Sequence, residues 1–445
     1  MRRLLAVLLW SVIAAAFIGP GTVTTCGAAG ASYGTALLWA LGFSTVATLV
    51  LQEASARLTA VSGRDLAQAL REGDRSPGGR GTVVILVLGA IVLGCAAYQA
   101  GNLLGAAAGA GLVLGLPPWL LALVSGTVAG ALLWLGAPRT VAHLLALLVA
   151  LMGVAFLVTA ALVRPDLGEV VRGLLVPSTP PGAGLLVLGL VGTTVVPYNL
   201  FLGSGLAAGQ RLPEIRFGLA VSVVLGGLIS MGVLVVGASM AGPFAFDAVA
   251  AELSGRLGGW AGVLFGWGLA AAGLSSAVTA PLAAALTARG LFGRGPEDPR
   301  WEPRSWRYRS VWLGVLLFGL AFGVSGTSPV PAILLAQAFN GVLLPVAAIF
   351  LLLAVNDRRL LGEGAINGPF ANIVTAGVVA VTVVLGAAGV LRAAWATLGR
   401  PAPGETLLLI AGVAAVALLA YPVTRSVLRR RRSAPTAADR STAPG

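Results

Sequence analysis

Two polar interruptions divide long apolar segments of this chain. They read GPGT at residues 19–22 and TTVVPYN at residues 193–199, each with a proline beside hydroxyl or amide side chains. Pro20 and Pro197 each lack a backbone N–H, and each ring clashes with the preceding helical turn. Because backbone polar groups must be satisfied in lipid, breaks at this depth predict a site. Freed carbonyls could coordinate a cation there, and helix N-termini would suit an anionic group.

Amide side chains occur inside other apolar segments of the chain. Asn102 lies in AAYQAGNLLG, and Gln337 and Asn340 lie in LLAQAFNGVLLP. Gln337 and Asn340 are three positions apart and therefore share one helical face. A buried amide is costly without a partner. These residues are expected either to bond neighbouring helices together or to line the site.

One acidic residue stands out within the second apolar segment. Glu53 in LVLQEASARL is followed four positions later by Arg57, so a same-helix ion pair is available. The pair has two readings. It is either a structural ion pair near the cytoplasmic end of its helix, or a gate or proton-path group.

The composition shows which elements must position these residues. The chain has 445 residues, of which 57% are hydrophobic and only 10% charged, whereas soluble domains carry about 25% charged residues. Apolar segments long enough for a bilayer recur twelve times, which predicts an all-α polytopic membrane protein. The spans are read near 5–31, 34–60, 82–106, 116–136, 141–163, 184–209, 217–241, 258–287, 310–326, 330–354, 370–391 and 405–428.

The arginines set the expected orientation, since the chain contains no lysine. With a cytoplasmic N-terminus, 23 of the 29 basic residues fall on the cytoplasmic side and five on the other side, and Arg57 lies within the second span. Both termini are therefore expected in the cytoplasm, with the protein integral to a membrane, the plasma membrane of a prokaryote. The net charge of +13 is divided among loops at the lipid surface, so nucleic acid is not an expected partner.

Breaks in spans one and six, five spans apart, predict two inverted repeats of five helices. Residues 1–163 would form the first repeat and residues 184–354 the second, with spans eleven and twelve at 370–428. This is the arrangement of LeuT-type transporters, in which the two broken helices face each other near the membrane centre. The remaining residues, 429–445, are expected to form a disordered basic tail that contacts phospholipid.

Five stretches together resemble the Nramp family of proton-coupled divalent-metal transporters. They are GPGTVTTCGAAGASYGTALLW, LVLQEASARLTAVSGRDLAQ, VVPYNLFLGSGL, GLSSAVTAPLA and LLAQAFNGVLLPVA. The resemblance covers nearly the whole chain and implies the LeuT fold and transport by alternating access. By the same resemblance the helix-break residues are Pro20, Gly21 and Pro197, and the substrate-binding residues are Gly19, Thr22, Asn102, Val196, Tyr198, Asn199, Gln337 and Asn340.

The chain departs from the family at the residues that bind the metal and move protons. Gly19 stands at the place of the family's Asp, Thr22 at its Asn, Val196 at its Met, Tyr198 at its His, Gly203 at a second His and Asn102 at an acid. A divalent ion in a low-dielectric site needs negative ligands or retained water. Thr22, Asn199 and Gln337 are therefore expected to be weak metal ligands only.

Three functions remain open at this stage. The family implies a secondary transporter of a divalent metal cation, by symport. The uncharged site would also allow a neutral or zwitterionic organic solute, and a non-transporting paralogue or transceptor could keep the same scaffold. An enzyme is not expected, because the polar residues include no catalytic dyad and no His-Glu metalloprotease motif. No cofactor is expected.

Overall fold

The computed structural model describes residues 18–73, 79–136, 139–293, 298–401 and 403–432, and these residues form helices and loops with no strand. The helices, with a short 3₁₀ turn at Pro299–Trp301 before the thirteenth, are as follows: α1 Pro20–Tyr33, α2 Leu38–Ser62, α3 Leu66–Gly73, α4 Gly79–Leu114, α5 Pro118–Leu135, α6 Arg139–Val163, α7 Leu167–Leu175, α8 Gly184–Thr194, α9 Pro197–Leu206, α10 Leu212–Ala238, α11 Phe246–Leu257, α12 Trp260–Phe292, α13 Trp306–Val324, α14 Pro329–Ala354, α15 Arg358–Ala365, α16 Pro369–Thr397 and α17 Glu405–Arg432.

Ten segments in the described part of the chain are long and apolar enough to cross a membrane. They coincide with predicted spans three to twelve, and α8 and α9 together count as the one at Gly184–Leu206. The predicted second span corresponds to α2, a helix of 25 residues. Only the C-terminal part of the predicted first span, α1, lies within the described residues. The prediction of an all-α membrane protein is confirmed.

The second predicted break is present between α8 and α9. Val195 and Val196 leave the helical region, with φ/ψ of −94°/75° and −79°/120°. Pro197 then opens α9 at the first helical position, where its missing N–H costs nothing. Pro20 opens α1 in the same way, after an extended Gly19 with φ/ψ of −86°/176°. Both prolines therefore begin helices within predicted membrane spans, as the sequence indicates, although the backbone before residue 18 lies outside the described residues.

Small residues bring α1 against α10 closely enough for backbone contact. A Cβ at Gly30 would overlap the carbonyl oxygen of Leu234, and a Cβ at Gly237 would overlap that of Gly27. Membrane helices associate by such close packing, because lipid supplies no hydrophobic force between them. The approach buries all of Pro20–Gly30, so that the start of α1 is held in the interior of the helix bundle.

The C-terminal helix is longer than the sequence indicates. α17 continues to Arg432, so residues 429–432 of the predicted disordered tail are helical, and residues 433–445 lie outside the described part. Arg430 donates a hydrogen bond to Asp357 at 3.1 Å, and Arg431 donates one to Asn356 at 2.7 Å. These partners lie more than 70 positions earlier in the chain, so the run of arginines alone does not predict them. The repeat boundaries and the cytoplasmic location of both termini stay predictions.

Candidate functional site

The two breaks meet through a pair of threonine hydroxyls. Thr22 in the first turn of α1 and Thr193 near the end of α8 lie 3.1 Å apart, Oγ1 to Oγ1. Both side chains are buried. The contact joins residues 171 positions apart in the chain, and it places the start of one half-helix against the end of another, as the facing arrangement of the breaks predicts.

Gln337 of α14 lies against both breaks. A Cβ at Gly21 would overlap Nε2 of Gln337, and a Cβ at Gly192 would overlap its backbone carbonyl oxygen. A side chain at position 192 would therefore force the backbones apart, whereas a methyl group at position 21 would displace the Gln337 amide. Gln337 is buried, and its Oε1 has no hydrogen-bond partner among the described residues. A buried acceptor without a donor, next to two breaks, is typical of a binding site.

Asn199 supplies a second unpaired amide in the first turn of α9. It is fully buried, and neither its Oδ1 nor its Nδ2 has a partner within the described part of the chain. Its backbone N–H donates to the carbonyl of Val196 at 3.1 Å. The neighbouring Tyr198 packs edge-on against Tyr98 of α4, with ring centroids 5.4 Å apart. Val196 and Tyr198 are both buried beside the break.

Two carbonyls at the end of α8 accept hydrogen bonds from other helices. The Tyr98 hydroxyl donates to the carbonyl of Gly192 at 2.9 Å, and Thr48 Oγ1 of α2 donates to that of Thr194 at 3.2 Å. Sequence reasoning did not assign Tyr98 or Thr48 to the site. Tyr98 lies one helical turn before Asn102, and this spacing weakly predicts that both residues face the site. No comparable spacing in the sequence points to Thr48.

The Asn340 side chain connects α14 with α4, whereas Nδ2 of Asn102 is buried without a hydrogen-bond partner among the described residues. Asn340 Nδ2 donates to Ala336 of its own helix at 3.0 Å and to Gly94 of α4 at 3.4 Å, while its Oδ1 has no partner among the described residues. Asn102 is buried, and its carbonyl oxygen would lie 2.6 Å from a Cβ at Gly273 of α12. Gly105 of α4 lies against the first break, because its lack of a side chain leaves room for Pro20.

The site is uncharged. The described residues contain no group of three or more His, Cys, Asp or Glu side chains that could hold a metal ion. Cys26 is buried one turn after Thr22 and has no disulfide partner. Hydroxyls, amides and backbone carbonyls are the available ligands, and such neutral oxygens suit hard cations that keep part of their water.

Glu53 and Arg57 form the ion pair that their spacing indicates. Arg57 Nε lies 3.2 Å from both carboxylate oxygens of Glu53, and Arg216 of α10 also donates to Glu53, at 2.8 and 3.0 Å. The Arg57 guanidinium reaches further, to the carbonyl of Ala365 and to Asn367 Oδ1. The pair therefore connects α2 with the loop between α15 and α16.

Comparison with known proteins identifies the family. The model of the family described as Nramp, natural resistance-associated macrophage protein-like, matches residues 11–392. The chain belongs to the Nramp family. The divalent metal cation transporter MntH of Deinococcus radiodurans is 31% identical over 382 residues, which cover 81% of this chain and 84% of that protein. The metal transporter Nramp3 of rice, Oryza sativa, is 27% identical over 405 residues, 84% and 71% of the two chains.

The fold agrees with Nramp membership. The crystal structure of the Eremococcus coleocola manganese transporter, bound to an aromatic bis-isothiourea compound, superposes with a TM-score of 0.71 over 96% of this chain and 94% of that one. At 18% identity this likeness concerns the fold alone. The suspected family and the LeuT-type fold class are confirmed, and the family is one of membrane transporters. The roles of the individual site residues stay predictions.

Proposed function

We propose that this chain moves a divalent metal cation across a membrane by alternating access, through a central site of neutral oxygen ligands. Membership of the Nramp family supports the transport of metal, since the relatives carry that function in their names. The observation that carries the proposal is the set of unpaired buried amide atoms of Asn199 and Gln337 beside the Thr22–Thr193 contact. The arginine distribution supports cytoplasmic termini, and the bacterial relative from Deinococcus radiodurans supports the plasma membrane of a prokaryote as the location.

The ligand set determines the expected affinity and selectivity. Carboxylates give a cation site most of its binding energy, and thioether or thiolate ligands select soft transition metals. Neutral oxygens leave the ion to retain water, so we expect a dissociation constant of roughly 10⁻⁴ to 10⁻³ M, the range of weakly charged calcium sites. The preferred ions are hard ones, Mn²⁺, Mg²⁺ or Ca²⁺, rather than Cu²⁺ or Zn²⁺.

Proton coupling is expected to be weak or absent. The positions at which the family resemblance implies proton-transferring groups hold Asn102, Tyr198 and Gly203, none of which titrates near neutral pH. The chain's only histidine is His143, at the start of α6 and remote in sequence from both breaks.

Uptake by reconstituted proteoliposomes tests the proposal. Mn²⁺, Mg²⁺ and Ca²⁺ are compared with a panel of amino acids, in the natural protein and in the variants Asn199→Ala and Gln337→Ala. Thr159→Val is the matched control, since Thr159 is also buried without a partner among the described residues, but on α6. We expect metal uptake that both amide variants abolish and the control retains. Flux of an organic solute without any metal signal contradicts the proposal in favour of the solute alternative, and no flux of any kind favours a non-transporting protein.

A further inference from the structure

The end of α8 determines how many backbone oxygens the break can offer to a cargo. The last carbonyls of a helix have no partner within it, and at a break inside the membrane they are the most polar neutral ligands at hand. Pro197 also removes the N–H that would have bonded the carbonyl of Thr193. The carbonyls of Gly192, Thr193 and Thr194 would all be available to a cation if only the backbone of α8 were considered.

Two of these three carbonyls are already engaged by hydroxyl groups. Gly192 accepts from Tyr98 at 2.9 Å, and Thr194 accepts from Thr48 at 3.2 Å. Each carbonyl has two lone pairs. The hydroxyl occupies one of them and lowers the electron density of the other, so the oxygen becomes a poorer ligand for a cation without being closed to it. Both donors are buried, which means that water does not compete with them.

The donors are fixed in place by contacts on other helices. Tyr98 is held by its edge-on contact with Tyr198. Thr48 belongs to a row on α2 that follows both halves of the broken helix: Ser55 donates to the carbonyl of Leu200 at 2.7 Å, and the Thr59 hydroxyl lies 2.6 Å from that of Ser204. Positions 48, 55 and 59 share one helical face. α2 therefore bridges the break and directs the carbonyls on either side of it.

We propose that Tyr98 and Thr48 are specificity-determining residues: their hydrogen bonds weaken the carbonyls of Gly192 and Thr194 as ligands for the cargo, and the carbonyl of Thr193 is the one of the three with no hydroxyl donor among the described residues. The inference rests on the proposed cation transport and deepens it. A site with two weakened carbonyls disfavours ions that require many protein oxygens. Ca²⁺ takes six to eight oxygen ligands, so release of the two carbonyls should benefit Ca²⁺ more than Mn²⁺.

Two conservative variants with matched controls test the inference. Tyr98→Phe keeps the ring, and Thr48→Val keeps the shape, while each removes the hydroxyl. Tyr33→Phe is the control for the first, because its hydroxyl donates to the backbone carbonyl of Pro181 at 3.1 Å in a partly exposed region. Thr45→Val is the control for the second, because Thr45 donates within α2, to Leu41 at 2.8 Å.

Calorimetry on the purified full-length protein measures the dissociation constants for Ca²⁺ and Mn²⁺, and proteoliposomes measure flux. We expect each test variant to lower the dissociation constant for Ca²⁺ by about three- to tenfold, which corresponds to the free energy of one hydrogen bond. The dissociation constant for Mn²⁺ should change less. In the control variants both constants should change by less than about twofold. A structural role alone would reduce flux without tightening Ca²⁺ binding.

The outcomes separate this inference from the proposed function. If the natural protein transports metal but neither variant binds Ca²⁺ more tightly, the inference is wrong and the function stands. If the variants bind Ca²⁺ more tightly while the natural protein transports no metal, the proposed role of Tyr98 and Thr48 is supported and the proposed transport of metal is refuted. If neither the natural protein nor any of its variants binds Ca²⁺, the inference is wrong. If one of the two test variants cannot be purified as a monodisperse protein, the Ca²⁺ dissociation constant of the other variant tests the inference.

Discussion

Replacement of Arg57 by methionine should destabilise the protein much more than the same replacement of Arg216. The Arg57 side chain is 9% exposed and donates to Glu53, Ala365 and Asn367, whereas the Arg216 side chain is 56% exposed and contacts the same Glu53. Loss of one partner from a buried ion pair costs about 3–5 kcal/mol. Glu53 is 27% exposed and keeps Arg216, so we reduce the estimate to about 2–3 kcal/mol. An exposed ion pair is worth about 1 kcal/mol or less.

Thermal unfolding of the purified protein, followed by tryptophan fluorescence, measures the difference. A change of 1 kcal/mol shifts the Tm by about 2–4 °C in chains of 150–250 residues and by less in longer ones. We therefore expect Arg57→Met to lower the Tm by on the order of 5 °C and Arg216→Met by about 1 °C. Flux per folded molecule should be unchanged in both variants if the pair is structural.

Two results would refute this reasoning. Equal Tm shifts for the two arginines would show that burial of Arg57 does not govern the energy of the pair. An unchanged Tm with a loss of flux in Arg57→Met would assign the pair to a gate or proton path, the other reading of its sequence. The double variant of Glu53→Gln and Arg57→Met should cost less than the sum of the two single variants, because the residues are in direct contact.

Further predictions concern the first break and a buried carboxyl. Gly21→Ala should weaken metal uptake by roughly tenfold, because the new methyl group displaces the Gln337 amide and the loss of about 1.4 kcal/mol of binding energy is a factor of ten; Gly89→Ala, with open space around it, should leave uptake unchanged. Burial raises the pKa of Asp65, in the loop after α2, above its ordinary 3.8, although the hydrogen bond from the Gln68 backbone N–H and the charge of Arg289 partly oppose the shift. The folded state thus disfavours ionised Asp65, so stability should fall as the pH rises from 3.8 through the raised pKa. Tm measured from about pH 4 to pH 7 should show that fall, and Asp65→Asn should remove it; an identical pH profile in the variant would contradict the assignment.

The parts of the fold that follow from local chemistry could be predicted from the sequence. Pro20 and Pro197 interrupt their segments because a missing N–H acts on the nearest turn, and both begin helices in the structure. Glu53 and Arg57 pair because residues four apart share a helical face. The hydroxyl contacts of Tyr98 and Thr48 could not be predicted, since their carbonyl partners lie 94 and 146 residues away.

Spacing on a helix predicts a face but not the neighbour that the face meets. Gln337 and Asn340 were expected together, and they do follow one side of α14. The structure nevertheless directs Gln337 to the breaks and Asn340 to Gly94 of α4. The basic C-terminal run was similarly expected to be disordered, because composition alone does not reveal that Asp357 is available to Arg430.

The helix dipoles explain why the absence of a charge at Gly19 matters. α1 and α9 both begin at the breaks, so each directs a positive dipole end toward the site, while α8 ends there and contributes a negative end. A bare cation faces more positive than negative helix ends among the described elements, and no side-chain carboxylate offsets them. Among the described helix ends, the carbonyl end of α8 is the one that attracts a cation, and oxygens such as Gln337 Oε1 and retained water would complete its coordination there. With no carboxylate at Gly19, the carbonyl oxygens at the end of α8 gain in importance as ligands, and the proposed effect of Tyr98 and Thr48 on two of them would then change the affinity for a cation.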